Sequence, residues 1–338
     1  MSPPQQPAPG HHMITRSKTS IFKPKLYIAN CLDKTTEPFT VLEAMLDPKW
    51  HKAMTEEYKA LMDNQTWVLF KPSHPIKVIG SKWVFRIKYN SGGNVLKYKA
   101  RLVAKGYHQT QGLDYIETFS PVVKSSTIRV ILSLPVMNNW VLRQIDINNA
   151  FLNGYMNEEV YMEQPEGFVD SSKPNHVCRL HKSLYSLKQS PRAWFDKLRQ
   201  VLTSKWIFTN SRLNTSLFLK RVEDQSLLVL VYIDDIILTC LSPQLVQEII
   251  TDMQLTFALK DLRELNYFLG TQVTRNTLGL HLSQSKYIVD LLGKVNLQDT
   301  TPCSTRMASG IPLTKVNNEH FLMLLCLEAL LEPSNILP

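Results

Sequence analysis

Residues 227–238 read Leu227-Leu228-Val229-Leu230-Val231-Tyr232-Ile233-Asp234-Asp235-Ile236-Ile237-Leu238. Two apolar runs flank a pair of adjacent carboxylates, which predicts two buried strands joined by a tight turn that carries the acids. Burying ionised carboxylates without compensation is costly, whereas Asp is common in solvated turns. The pair is therefore either an ordinary turn or a divalent-cation site at the rim of a sheet, with Mg²⁺ as the preferred ion.

A third acid, Asp146, lies near the end of the short apolar stretch Val141–Ile147. Alone, Asp146 would be interpreted as a capping or turn residue. Together with Asp234 and Asp235 it completes the carboxylate set of a two-metal site. In such a site one ion activates a primer 3′ hydroxyl and the other stabilises the leaving pyrophosphate.

Positive charge is concentrated in one part of the chain. The formal net charge is +9, and residues 64–113 contain several Lys and Arg but no Asp or Glu. This favours nucleic acid as a partner, and a solvated basic face is the alternative.

The five cysteines form no C-x-x-C pair, which argues against a zinc site and for reduced thiols in an intracellular protein. No apolar run is long enough for a membrane span, so no membrane partner is expected.

Helices alternate irregularly with antiparallel strands. Asp47-Pro48 predicts a capped helix start, Ser-Pro pairs at 190–191 and 242–243 predict two more, and residues 282–292 predict a fourth helix. Residues 83–103 predict a hairpin that carries a row of cations on one face. Since no regular βαβ repeat is present, the fold class is α+β.

Five longer motifs accompany these features: Ile145-Asp146-Ile147-Asn148-Asn149-Ala150-Phe151-Leu152-Asn153-Gly154, Glu159-Val160-Tyr161-Met162-Glu163-Gln164-Pro165-Glu166-Gly167-Phe168, Ser183-Leu184-Tyr185-Ser186-Leu187-Lys188-Gln189-Ser190-Pro191-Arg192-Ala193-Trp194, Tyr98-Lys99-Ala100-Arg101-Leu102-Val103-Ala104-Lys105-Gly106 and Tyr267-Phe268-Leu269-Gly270. In this order they resemble the reverse transcriptase of Copia-type LTR retrotransposons, the RNA-dependent DNA polymerase of the pol polyprotein. The resemblance runs from about residue 47 to about residue 307. It implies a right-hand polymerase of fingers, palm and partial thumb, with an antiparallel palm sheet packed on helices.

The resemblance also implies a domain plan. Residues 1–37 would be a disordered, basic and Pro-rich linker, and residues 38–307 the reverse transcriptase domain. Within it, the fingers would cover about 64–140, the palm about 141–275, and the start of the thumb or connection about 276–307. Residues 308–338 would be a divergent tail without a ribonuclease H domain, so a truncated copy is expected.

Roles for individual residues follow from the resemblance. Asp146, Asp234 and Asp235 would bind two Mg²⁺ ions, or Mn²⁺, with Ile147 as a further ligand. The residues assigned to the dNTP are Lys88, Arg101, Phe151, Tyr185 and Ser186. Those assigned to the template and primer are Lys99, Lys105, Lys188, Gln189, Tyr232, Leu269 and Gly270. Phe151 would crowd the sugar 2′ position, or else be an ordinary core aromatic; Tyr232 could equally be a plain strand tyrosine.

Five positions depart from the family pattern. Ser186, Arg263 and Cys240 stand where the family favours Gly, Pro135 interrupts a helical stretch, and Arg306 replaces a Pro. Three hypotheses follow: an RNA-directed DNA polymerase that adds dNTPs to a primed RNA or DNA template, a catalytically inactive, truncated nucleic-acid-binding remnant, or an unstable relic. An intracellular, cytoplasmic location is expected, because full elements of this family work inside cytoplasmic particles. The sequence leaves the oligomeric state open.

Overall fold

The computed structural model describes residues 37–90, 94–276 and 279–294. Several features of the sequence therefore lie outside the described residues. They are nearly all of the predicted linker, the hairpin turn at 91–93, the departure at Arg306 and the tail at 308–338. Over the described ranges, helices and sheets are mixed in the α+β manner that the sequence predicts.

The described helices are α1 (Val41–Leu46), α2 (Pro48–Asp63), α3 (Ser125–Asn138), α4 (Ser190–Ser204), α5 (Pro243–Gln254) and α6 (Ser285–Lys294). The described strands are β1 (Trp67–Phe70), β2 (Val78–Ile79), β3 (Ser81–Tyr89), β4 (Val95–Ala104), β5 (Val141–Ile147), β6 (Tyr161–Met162), β7 (Val177–Leu180), β8 (Thr209–Asn210), β9 (Leu217–Val222), β10 (Gln225–Tyr232), β11 (Asp235–Cys240), β12 (Leu259–Glu264), β13 (Tyr267–Phe268), β14 (Thr271–Asn276) and β15 (Gly279–Ser283). Short 3₁₀ turns cover Gly106–His108 and Ala150–Asn153.

The central sheet has the strand order β12-β5-β11-β10-β9-β8, and each neighbouring pair is antiparallel. The predicted hairpin of residues 227–238 is confirmed as β10 and β11. On one face Val229 and Ile236 pack with α4 and α5. On the other face Leu230 and Ile237 pack with Ile131 of α3. Because both faces are covered, the two strands are apolar without alternation.

The hairpin of β3 and β4 is also as predicted, and it packs against α2. Asp47 caps α2 through the Lys49 N–H, and Pro48 occupies its first turn. Trp50 meets Phe85 and Tyr98 edge-on, at ring-centroid distances of 5.3 and 5.0 Å. These contacts occupy the apolar side of the ribbon, so its cations are left for the other side.

The cations of the ribbon do share one side. Lys88 of β3 is paired with Lys97 of β4, and Arg86 with Lys99, in direct cross-strand register. Like charges placed opposite one another destabilise a two-stranded pair. Negative charge near these pairs would reduce that cost.

The predicted helix at residues 282–292 begins later than expected. Leu282 pairs with Val273 of β14, so it belongs to a strand, and α6 begins at Ser285. The Ser283 hydroxyl accepts the Ser285 N–H at this junction. Strand pairing therefore overrides the helical pattern of the first residues. Pro135 does lie inside a helix, in the last turn of α3, where its missing N–H leaves one i→i−4 hydrogen bond unmade.

Two of the three positions where Gly was expected have left-handed backbone. Ser186 has a φ of 72° and Arg263 a φ of 65°. Arg263 also follows the point where the register of β12 with β5 shifts, as in a bulge. A positive φ favours Gly, so the backbone gives a physical reason for a Gly at both positions. Cys240 differs, because it is a fully buried residue of β11.

We predict that Ser186→Gly and Arg263→Gly each raise the free energy of unfolding. A side chain in the left-handed region costs about 1–2 kcal/mol, and the greater freedom of Gly in the unfolded chain offsets about half of that. A net gain of about 1 kcal/mol is expected from urea unfolding. Ser73→Gly, at an exposed serine without positive φ, is the control and should give no gain. A loss of stability at both test positions would show that backbone strain is not relieved.

Candidate active site

Strand pairing brings two of the predicted acids together. Asp146 of β5 and Asp235 of β11 are directly opposed in register. Side chains in such pairs have Cβ atoms about 4.5–5.5 Å apart and point to the same face. Asp234 precedes β11 in the turn, and its carbonyl accepts the Ile147 N–H at 2.9 Å. The three acids therefore lie at one end of the central sheet.

The turn that carries the acids is strained. Ile233 has a φ of 53°, which is rare for a β-branched residue. Its carbonyl accepts the indole N–H of Trp194 at 2.7 Å, and Trp194 is buried on α4. Together with the bond from Ile147, this contact ties the turn to β5 and to α4, which keeps the acids in a defined position.

Burial and mutual repulsion both act on the acids. Burial, with smaller effects from Asp234 and Asp146, raises the pKa of Asp235 to about 6 from 3.8. The Gln144 amide donates to Asp235 Oδ1 at 3.0 Å and partly offsets that rise. Burial also raises the pKa of Asp234, and Asp146 adds to the rise. The free carboxylates are thus poised to gain from a nearby cation.

The raised pKa of Asp235 predicts a pH dependence of stability. Between about 4 and about 6 the folded chain keeps a proton that the unfolded chain has lost. Stability should therefore fall as pH rises through this window, and Asp235→Asn should remove that part of the fall. Urea unfolding in EDTA at a series of pH values measures it. Asp252→Asn, at an exposed acid of α5, controls for loss of a surface carboxylate. Equal slopes in wild type and Asp235→Asn would contradict the prediction.

The donor set suits a hard divalent ion. Three carboxylates at one end of a sheet are the ligands that Mg²⁺ or Mn²⁺ prefers. In the part of the chain that the structure describes, however, no three His, Cys, Asp or Glu side chains converge as a ready-made metal cage. The pKa shifts give a reason, because partly buried like charges repel one another. Ile147, the further predicted ligand, is buried next to Asp146.

Cations of the β3–β4 hairpin reach the same region. Arg101 and Lys99 are the cations whose charges lower the pKa of Asp234. The Arg101 guanidinium also lies over the ring of Tyr185, 4.7 Å from its centroid. Lys88 is exposed nearer the tip of the hairpin. Arg101 and Lys99 are thus near enough to Asp234 for their charges to act on it. Arg101 was predicted for the dNTP, and Lys99 for the template or primer.

The predicted sugar contact, Phe151, packs beside Tyr185. Their rings meet edge-on at 5.2 Å and 79°. The Tyr185 hydroxyl also donates to Asn149 Oδ1 at 3.5 Å, and burial raises the pKa of that phenol to about 12. Phe151 is only half-buried and also touches the sheet core. One side of the Phe151 ring therefore packs in the core, and the other side is available for contact with a ligand.

The segment that follows Tyr185 is bound to the loop after β4. Ser186 is exposed, and its carbonyl lies so near Gly106 that any Cβ there would collide with it. Lys188 is exposed, while its N–H donates to Gln109 Oε1 at 2.8 Å. Lys105, half-buried at the end of β4, donates its N–H to the carbonyl of Gly80. The two lysine side chains can reach a ligand from a fixed backbone.

Gln189 has protein partners in this structure. The residue is 3% exposed, and its amide donates to the carbonyl of Asp114 and accepts from Gln109 Nε2. These bonds join α4 to the loop after β4, because a buried amide needs protein partners. Its contact with a template or primer stays a prediction.

The remaining predicted primer contacts lie around a second turn. Leu269 and Gly270 connect β13 to β14 and have φ values of 48° and 76°. Tyr232, paired with Asp235, meets Phe268 edge-on at 6.3 Å. An aromatic contact thus links this turn to the β10–β11 hairpin.

Sequence reasoning missed three residues that hold the site. Gln144 lies two residues before Asp146, so strand alternation could have placed it on the same face. Asn149, at a φ of 50°, carried a weak signal because Asn tolerates left-handed backbone. Trp194 gave no local signal, since its bond to Ile233 joins residues far apart in the chain.

Comparisons with known proteins identify a family for the chain. The family model described as reverse transcriptase (RNA-dependent DNA polymerase) matches residues 64–309. The retrovirus-related Pol polyprotein from transposon RE1 of Arabidopsis thaliana is 46% identical over 314 residues, which cover 92% of this chain and 21% of that polyprotein. The corresponding polyprotein from transposon TNT 1-94 of Nicotiana tabacum is 37% identical over 285 residues, with 82% and 21% covered.

A solved structure is similar at much lower identity. It is the foamy viral protease-reverse transcriptase dRH in complex with double-stranded DNA, which is 13% identical with a TM-score of 0.41. The match covers 76% of this chain and 38% of that chain.

The acids at the sheet end and the family match define a polymerase-class domain. The chain belongs to the reverse transcriptase family, and it corresponds to the reverse transcriptase domain of Copia-type retrotransposon Pol polyproteins. It spans about a fifth of the length of these curated relatives. None of the helices in the described ranges has the length and apolar character needed to span a bilayer.

Proposed function

We propose that this chain adds deoxynucleotides to a primer paired with an RNA or DNA template. The observation that carries the proposal is the direct cross-strand pairing of Asp146 with Asp235, with Asp234 beside them. In this reading the central sheet is the palm, the β3–β4 hairpin belongs to the fingers, and the segment from about residue 276 begins the thumb.

Asp146, Asp234 and Asp235, with the Ile147 carbonyl, would hold two Mg²⁺ or Mn²⁺ ions. When bound, such ions activate the primer 3′ hydroxyl and stabilise the charge on the leaving pyrophosphate. The role of the chain is to keep the carboxylates ionised and oriented. Gln144 supports Asp235 in its ionised form, because an amide N–H donor favours a carboxylate.

The hairpin and the Tyr185 segment would bind the nucleotide. Arg101 suits the triphosphate, since charge-assisted hydrogen bonds to phosphate are strong. Lys88 would reach it from the other strand. Phe151, supported by Tyr185, would fill the space next to the sugar 2′ position. Ser186 would line the nucleotide through its fixed backbone.

The template and primer would bind along the exposed and half-exposed groups around these elements. The candidates are Lys99, Lys105, Lys188, Tyr232, Leu269 and Gly270, together with the buried Gln189. Contacts from lysines to the phosphate backbone make affinity fall as salt rises.

The test is incorporation of dTTP on a primed poly(rA) template with Mg²⁺ or Mn²⁺. Incorporation that requires the ion supports the proposal. Salt-sensitive binding of the primer-template without incorporation would favour an inactive nucleic-acid-binding remnant, and the strained backbone at Ser186 is the observation that favours this second candidate. Loss of both activities in a cooperatively folded chain would overturn the proposal.

A further inference from the structure

The segment between β7 and α4 carries proposed contacts to both the nucleotide and the template. Tyr185 and Ser186 belong to the first set, and Lys188 belongs to the second. Residues 183–189 form turns and coil, with no helix or strand among them. Because no regular ladder of backbone hydrogen bonds fixes such a segment, its shape depends on the individual bonds that neighbouring residues make to it.

The loop that follows β4 supplies such bonds, and the side chain of Gln109 makes two of them. Gln109 is 7% exposed. Its Oε1 atom accepts the Lys188 N–H at 2.8 Å, and its Nε2 atom donates to Gln189 Oε1 at 3.0 Å. One buried side chain therefore fixes two consecutive residues of the segment.

The loop that carries Gln109 is held by a buried carboxylate. Asp114 is 4% exposed, and its Oδ2 atom accepts the Thr110 N–H at 2.6 Å and the Lys77 ammonium at 2.5 Å. The carbonyl of Asp114 accepts the Gln189 amide at 2.9 Å. Since Thr110 follows Gln109 directly, these bonds hold the backbone from which the Gln109 side chain reaches Lys188.

The nucleotide end of the segment is held in a different way. The Ala104 N–H donates to the Tyr185 carbonyl at 3.0 Å. At Gly106 an added Cβ atom would lie 1.8 Å from the Ser186 carbonyl oxygen, so the two backbones touch without a side chain between them. Backbone contacts therefore hold Tyr185 and Ser186, whereas the Lys188 N–H is bound by a side chain.

The charges around Lys188 suit a phosphate. Lys188 is exposed and forms no ion pair within the described ranges. The two acids of the loop are already paired, Asp114 with Lys77 and Glu117 with Arg192, each at 2.5 Å. The loop therefore adds little negative charge that would repel a nucleic acid, and contacts from lysine to phosphate oxygens fix the register of a bound strand.

We propose that Gln109 is a positioning residue for the template: its buried side chain fixes the backbone of Lys188, and the Lys188 ammonium then contacts a phosphate of the template strand. This inference rests on the proposed polymerase function. It gives a role to a residue for which the sequence predicted none, and it separates the hold on the template from the hold on the nucleotide.

The test measures the Kd of oligo(dT)-primed poly(rA) over a series of salt concentrations. Loss of one phosphate contact lowers the slope of log Kd against log salt concentration by about one. We expect this fall in Lys188→Ala, with a rise in Kd of about fivefold at moderate salt. Gln109→Ala should reproduce both changes although it removes no charge.

Two further measurements separate positioning from a general loosening of the segment. At saturating primed template, Gln109→Ala should change the KM for dTTP by less than about twofold, because backbone contacts still hold Tyr185 and Ser186. The double variant of Gln109→Ala and Lys188→Ala should bind no more weakly than Lys188→Ala alone, whereas independent effects would add.

Gln247→Ala is the matched control, because Gln247 is an exposed glutamine on α5, outside both the loop and the segment. It should leave Kd, the salt slope and KM unchanged. Gln109→Met replaces Gln109→Ala if the alanine variant does not fold, since methionine is of similar length and lacks both the amide donor and the oxygen acceptor.

Several outcomes would overturn the inference. Wild-type Kd and salt slope in a folded Gln109 variant is one, and an effect that adds to that of Lys188→Ala is another. Failure of both Gln109 variants to fold would make Gln109 a structural residue only. An unchanged slope in Lys188→Ala would leave no contact to position, while the proposed function would stand if dTTP is still incorporated. A wild-type chain that does not bind the primed template refutes both.

Discussion

Asp234→Asn is expected to abolish dTTP incorporation, with a fall in kcat of at least about 10³-fold. The same change should raise the melting temperature of the metal-free chain. Burial, together with repulsion from Asp146, raises the pKa of Asp234, so the ionised form is disfavoured in the folded state. A neutral amide removes that penalty at neutral pH. Primer extension and thermal melting of one preparation measure both effects.

The opposite signs of these two effects make the prediction specific. A variant that simply unfolds would lose activity and stability together. Asp252→Asn, on the exposed side of α5, is the control and should leave both activity and melting temperature unchanged. If Asp234→Asn retained full incorporation, the catalytic assignment of the turn would be refuted.

Phe151→Ala is expected to lower discrimination against ribonucleotides by about 10²-fold or more. The half-buried ring packs edge-on against Tyr185, so it is held in place rather than free to move aside. Truncation to Ala removes the bulk that would collide with a 2′ hydroxyl. The measurement is the ratio of kcat/KM for dTTP and UTP on primed poly(rA).

Phe151→Tyr is the control that separates the effect of side-chain bulk on discrimination from the effect of the mutation on stability. The tyrosine ring keeps the size of the side chain, so discrimination should stay near that of wild type. Phe151→Ala will also cost some stability, because the ring touches the sheet core. An Ala variant that folds but discriminates like wild type would leave Phe151 as a core aromatic only.

The central sheet and its turn were predictable because the signal is local. Two apolar runs around Asp234-Asp235 specify a hairpin, and the capped start of α2 and the β3–β4 ribbon are equally local patterns. The sequence did not predict that α6 begins only after Leu282, because Leu282 pairs with Val273 as part of a strand. Pairing between strands cannot be predicted from the hydrophobic periodicity of one segment.

The acids of the candidate site could be predicted from the sequence, but the residues that hold them in place could not. The apolar runs around Asp234-Asp235 and the short stretch that carries Asp146 indicated the three acids, and the register of β5 with β11 places Asp146 opposite Asp235. The contact from Trp194 to Ile233 joins distant residues, so no local pattern could indicate it. The burial of Gln189 was not predicted, because a motif does not tell whether a polar side chain faces solvent or the protein.

The burial of β10 and β11 on both faces has a consequence for mutational drift. A large-to-small change in such a core costs about 2–5 kcal/mol, which is comparable with the whole stability of a domain. Exposed positions on the β3–β4 ribbon tolerate most changes at little cost. A copy that accumulates random substitutions is therefore expected to lose its fold through β10 and β11 before its three aspartates are hit. Intact acids alone do not show that such a copy is still a folded protein.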